Sequence, residues 1–155
     1  MPECTTGIIV SRVERRGTVL LSLVALTFVG CGRLPIEFRE AIAASELPRV
    51  ERQLGVRIVG YQSKHQGTDT TLTIGGSVEP GQTLEASLEE TRRATLEWSA
   101  QRRPPPGDPG ERERARADLD AQIAHLERHG LLIHLIYVDG PVDALRARTH
   151  PLVAR

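Results

Sequence analysis

The stretch TVLLSLVALTFVGCG, Thr18 to Gly32, divides this chain before any fold is considered. It follows Arg12, Arg15 and Arg16, and from Val19 to Val29 only Ser22 and Thr27 interrupt the apolar run. A helix needs roughly twenty apolar residues to cross about 30 Å of hydrocarbon, so the run is short for a membrane span. A charged n-region, a short apolar h-region and small residues before a cleavage point make an export signal. That pattern sets residues 1–31 apart from the folding unit. The remainder, about 120 residues, suits a single domain.

The run closes on Phe28, Val29, Gly30 and Cys31, which resembles the lipobox of bacterial lipoprotein signal peptides. The resemblance covers only the leader. It implies that the Cys31 thiol is acylated and that the Cys31 amine becomes the mature N-terminus. The domain would then sit outside the cytoplasm, held to the cell envelope by lipid. The alternative is an uncleaved signal anchor, with Cys31 a bystander thiol and the domain acting as the sensor of a membrane-anchored regulator.

Charge and cysteine content narrow the chemistry further. Twenty basic residues balance twenty acidic ones, so no bulk field favours nucleic acid or another polyanion as partner. Cys4 and Cys31 are the only cysteines, so the chain downstream of the leader holds no disulfide, no thiolate metal site and no cysteine nucleophile. With aromatics at 3% of residues, the core has to be aliphatic.

Residues 32–55 read as a tether with short helices, Phe38 to Ala44 and Leu47 to Leu54, the latter broken at Pro48. The single domain, residues 56–155, opens on a β-rich VRIVGYQS, and TTLTIGGSV alternates with Leu72 and Ile74 on one face; KHQGTD between them predicts a hairpin turn. Thr83 caps a helix to about Arg102 whose stripe is Leu84, Leu88, Thr91, Thr95 and Trp98. PPPGDPG, Pro104 to Gly110, is a rigid loop, because proline fixes φ and removes donors. A second long helix from Glu111 carries Leu119, Ile123 and Leu126 inward and pairs Arg114 with Asp118 and Arg116 with Asp120 outward; Gly130 ends it as a C′ glycine. LLIHLIYV, apolar on both faces, is the central strand, followed by a short helix over Val142 to Arg148 and a final strand in PLVAR. The fold class expected is α+β: a small mixed sheet of three to four strands with two long helices on one face, ferredoxin-like in outline.

Several residues invite a chemical reading. His125, His129 and His134 would make a three-imidazole metal site, but no H-E-x-x-H signature accompanies them. The expectation is instead that His129 neutralises a helix C-terminus, His125 lies on the solvent flank and His134 packs in the sheet. Ser63, Lys64 and His65 fall at the predicted turn, where consecutive side chains diverge. Gly75, Gly76 and Gly81 lack a phosphate-loop spacing, and Trp98 belongs to a core stripe. No catalytic, cofactor or metal site is therefore expected, and Cys31 is the only site residue. The tail from Tyr137 to Arg155 resembles the closing half of small ferredoxin-like modules such as protease propeptides and their inhibitor relatives, which implies binding to another protein. The function expected is non-enzymatic binding of a protein or peptide at the cell envelope, with PLVAR as the docking edge.

Overall fold

The computed structural model describes residues 33–102 and 107–154. In chain order they form β1 (Arg33–Ala43), α1 (Leu47–Leu54), β2 (Ile58–Gln66), β3 (Thr71–Ser77), α2 (Leu84–Gln101), α3 (Pro109–His129), β4 (Leu132–Asp139) and α4 (Pro141–Arg148). The strands make one sheet in the order β1-β4-β2-β3. The protein is thus α+β, with the strand and helix succession of βαββαβ modules and an extra helix before and after β4. The sheet expected to be mixed is antiparallel at all three pairings.

Two expectations about residues 33–55 are corrected. Phe38 to Ala44 does not form a helix, because Leu34, Ile36 and Phe38 alternate with Pro35, Glu37 and Arg39; Ile36 is buried where β1 pairs with β4, and Phe38 is buried where it bridges Val153. That burial outweighs the helix propensity of the Arg-Glu-Ala run that follows. Pro48 does not break α1 but stands in its first turn, where no backbone N–H is needed for an intrahelical bond. Gly55 closes α1 at φ 63° by donating its N–H to the Glu51 and Arg52 carbonyls. Glu51 then accepts from the Ile58 N–H at 2.8 Å, which fixes where β2 begins. The supposed tether is an edge strand and a core helix.

The remaining local signals hold. Thr83 caps α2 by accepting from the Ala86 N–H, and Gly130 ends α3 at φ 67° with its N–H on the Leu126 carbonyl. The second long helix begins at Pro109 rather than Glu111, because Asp108 caps it through the Gly110 and Glu111 N–H groups. Leu131 to Val138 is interior to the sheet, as its apolar run predicts. One core gathers Ile36, Ile58, Tyr61, Ile74, Ile133, Ile136 and Val138 beneath side chains of all four helices except α3's polar first half. Among the described residues no helix is long and apolar enough to cross a membrane.

Candidate functional site

Alternation along β2 puts Tyr61, Ser63 and His65 on the face that the helices cover, each 1% exposed or less. β2 runs to Gln66, three residues beyond Ser63, so Ser63 and His65 belong to the strand and not to a turn. They stand two apart and therefore converge, which corrects the expectation that they would diverge. Ser63 Oγ lies 3.2 Å from His65 Nε2, and His65 Nδ1 lies 3.3 Å from His125 Nδ1. The His125 and His129 rings follow at 4.6 Å between centroids. His125 is half-exposed on the flank of α3, and from there it joins the buried strand to the exposed end of the helix. Burial, then the neighbouring charge that His125 and His129 can carry, lowers the His65 pKa to about 4. His125 is pushed down by burial and by His129 and Arg128. His65 and His125 are neutral near pH 7, and one N–H serves the contact between their two Nδ1 atoms.

Chemically, a serine beside an imidazole can be a nucleophile and its base. Here both members are closed off from solvent, so a substrate carbonyl or phosphoryl group has no approach to Ser63 Oγ. His134, the third imidazole considered for a metal, lies elsewhere. Its surroundings are Lys64 and Gln62 on the opposite sheet face, and burial with the Lys64 ammonium lowers its pKa to about 4. Among the described residues no group of three or more His, Cys, Asp or Glu side chains is arranged to hold a metal ion.

A second polar cluster was hidden in the sequence. Asp118, expected to pair outward with Arg114, is 7% exposed and points at the β2–β3 turn. Its Oδ1 accepts from the Asp69 N–H at 2.7 Å and the Thr70 N–H at 3.3 Å, and its Oδ2 from the Thr70 hydroxyl and from Gln122 Nε2. Burial works against the carboxylate, but the Thr70 hydroxyl and the backbone N–H groups of the turn outweigh it and hold the Asp118 pKa below its ordinary value. A glycine is required at position 67, because a Cβ there would collide with Asp118 and stand 2.8 Å from Gln122 Cγ.

The α2 stripe is likewise more polar than expected. Tyr61 OH bonds Ser87 Oγ at 2.8 Å and Thr91 Oγ1 at 3.0 Å, and Ser87 Oγ donates to the Ser77 carbonyl. The Tyr61 ring lies so close to β3 that a Cβ on Gly76 would be 2.5 Å from it. Gly75 and Gly76 are thus strand residues, not part of a phosphate loop. Trp98 is half-buried rather than core, with the Arg102 guanidinium 4.7 Å above its ring.

The edges of the sheet differ. PLVAR was expected to be the exposed edge; instead it closes one. The Arg39 N–H donates to the Leu152 carbonyl, the Ala154 N–H to the Glu37 carbonyl, and Phe38 bridges Val153, which is 2% exposed. Beside it, Pro35, Ile36, Glu37, Arg148, Val153 and Ala154 line a shallow depression. At the other edge, among the described residues, β3 pairs only with β2. Val78 N–H bonds the Val59 carbonyl and Gly67 N–H the Thr70 carbonyl, so even-numbered residues of β3 bond to β2. The alternation of an antiparallel ladder then turns the backbone N–H and C=O of Thr71, Thr73 and Gly75 outward, as it does those of Ser77, whose carbonyl already accepts from Ser87 Oγ. Cys31 lies outside the described residues, as do Arg103 to Pro106 of the proline loop.

Comparison with protein-family models, with curated proteins and with solved structures gives no match for this chain. The class that the fold defines is an α+β domain with one closed and one open sheet edge.

Proposed function

We propose that this chain is a non-enzymatic domain of the cell envelope, tethered to a membrane through Cys31, that takes an extended segment of a protein partner as an added strand on β3. The observation that carries the reading is the asymmetry of the edges: the chain's own tail bonds Glu37 and Arg39 at the middle of β1, whereas Thr71, Thr73 and Gly75 of β3 offer outward backbone donors and acceptors. Main-chain pairing on such an edge supplies affinity, and alternate side chains supply specificity. The alternate residues on the open face here are Thr71 and Thr73, followed by Gly75, which leaves room for a partner's side chain. The sequestered Ser63 and His65 support a binding role over a hydrolytic one.

The tether is tested by intact mass of the protein recovered from membranes, with a diacylated Cys31 as N-terminus expected and release of the domain by Cys31→Ala. Retention of the residues before Cys31 would replace lipid anchoring by a signal anchor. Docking is tested with Thr73→Pro, which removes an outward N–H and leaves the β2 bonds in place. The variant should keep its melting temperature within a few degrees and lose the partner; unchanged capture by a folded variant would refute strand addition.

A further inference from the structure

Val142 and Leu145 are each 68% exposed and lie three residues apart on α4, so they share one side of the helix. The opposite side, Ala144 at 3% and Ala147 at 0% exposure, packs in the core. This short helix turns its small residues inward and its large apolar ones outward, the reverse of what water alone favours. Scattered exposed apolar residues are ordinary, but a paired set on one helix side marks a surface that something covers.

The fold shows where that side stands relative to the leader. Arg33, the first residue of β1, is the register partner of Asp139, the last residue of β4. α4 starts at Pro141, so Val142 comes three residues after Asp139. Paired Cα atoms are about 5 Å apart. Three residues add at most about 11 Å, and the two residues back to Cys31 span at most about 7 Å. An acyl chain on Cys31 and the Val142 side chain are therefore attached within about 23 Å of each other, a distance that a lipid-held chain easily closes. Arg146 and Arg148 flank the apolar pair, with Asp143 3.9 Å from Arg146 and the Arg146 guanidinium on the Gly55 carbonyl. Long cationic side chains in this position reach headgroup phosphates while their stems lie along apolar surface.

We infer that α4 is a second, non-covalent membrane contact: Val142 and Leu145 enter the headgroup boundary of the bilayer that holds the leader, and Arg146 and Arg148 meet lipid phosphates. The inference rests on the tethered reading above. It orients the domain, because the β2–β3 turn at Gln66 and Thr71 is at the opposite end of the sheet from the Arg33–Asp139 pair. The open β3 edge then rises away from the membrane instead of lying against it.

The test uses the full chain recovered from membranes and reconstituted into phosphatidylethanolamine and phosphatidylglycerol vesicles with brominated acyl chains. Val142→Trp in a Trp98→Phe background puts a single indole on α4. Its emission should fall about two-fold or more, as expected for a side chain at the acyl boundary, and adding Leu145→Glu should restore about half of it. The native indole of Trp98, about 20 Å along α2 from its start, should be little quenched and serves as reference. Flotation with the vesicles without quenching at position 142 overturns the docking while the tether stands. If iodide also fails to quench that indole, a protein surface or a second copy covers α4 and the lipid assignment is wrong. A chain that does not float removes the tether and the docking with it.

Discussion

On the β1 side, Ile36, Phe38, Ile136 and Val138 share the core with Leu47, Val50 and Leu54 of α1 and Ala144 and Ala147 of α4; on the β3 side, Tyr61 meets Ser87 and Thr91, His65 meets Ser63 and His125, and Asp118 and Gln122 hold Thr70 of the β2–β3 turn. Among the described residues, the six buried polar ones all belong to β2, α2 or α3. The first half is held by apolar area and close packing, which are indifferent to pH and sensitive to volume. The second has apolar packing too, but adds directed bonds between groups that are costly to bury alone, so it is also sensitive to protonation and to the loss of one partner. The helices over this half also bury Leu84, Leu88 and Leu126 against Leu72 and Ile74, and hydrogen bonding to the sheet and to the hairpin turn is added to that apolar contact. The proposed docking edge lies on this more conditional half.

The largest expected effect tests the aliphatic half. Ile136→Ala, at a residue 0% exposed, should cost about 4 kcal/mol by urea denaturation, because the lost transfer energy adds to a cavity that a close-packed core cannot refill. The cost should be the same at pH 7 and pH 5. A clear pH dependence of that cost would mean that the two halves are not separable.

Acid should act on the other half. The His65 pKa is about 4 in the fold, below the ordinary 6.5, so below pH 6.5 the unfolded chain takes up the proton first. Its contribution is complete above pH 6.5, falls as pH drops from 6.5 to about 4 and then levels, a loss of up to about 3 kcal/mol. His134 and His125 are lowered too and act in the same direction. The slope should be shallower in His65→Gln, measured as urea midpoint against pH. A wild-type midpoint that is flat from pH 7 to pH 4 would contradict the buried neutral imidazole.

Asp118→Asn comes next. An amide retains one acceptor oxygen but not the charge or the second acceptor, and its donors have only N–H and O–H groups to face, so a loss of about 2 kcal/mol is expected. The amides of Asp69 and Thr70 should exchange faster while those of β4 are unchanged. A smaller loss, about 1 to 2 kcal/mol, is expected from Gly76→Ala, as the Tyr61 ring 2.5 Å from the new Cβ has to move and loosens its bonds to Ser87 and Thr91. A neutral Gly76→Ala would mean that the ring has room that the fold does not display.

What could be read from the sequence was what is decided nearby. Thr83 and Gly130 act within one turn of themselves, and Leu131 to Val138 is apolar enough to be interior in any small sheet. Arg33 to Ala43 failed because Arg39, Glu40 and Ala41 favour a helix locally, while its strand partner starts at Leu132. Asp118 looked like the partner of Arg114 one turn earlier, yet its donors are 48 and 49 residues away. His65 and His125 are 60 residues apart, and their meeting follows only from α3 crossing β2. Placing the turn at Lys64 instead of Gly67 also hid the convergence of Ser63 and His65. The alternation of Ser63 and His65 around Lys64 was the available signal.

The sharpest test of the account contrasts the two sheet edges in the living cell. A photoreactive side chain is placed at Thr73, on the open edge, and separately at Glu37, whose carbonyl already accepts from the Ala154 N–H. Illumination should give a discrete protein adduct from position 73 that Thr71→Pro abolishes, and none from position 37. Adducts from position 37 with none from position 73 would contradict strand addition at β3 and move the partner to the edge that the tail covers.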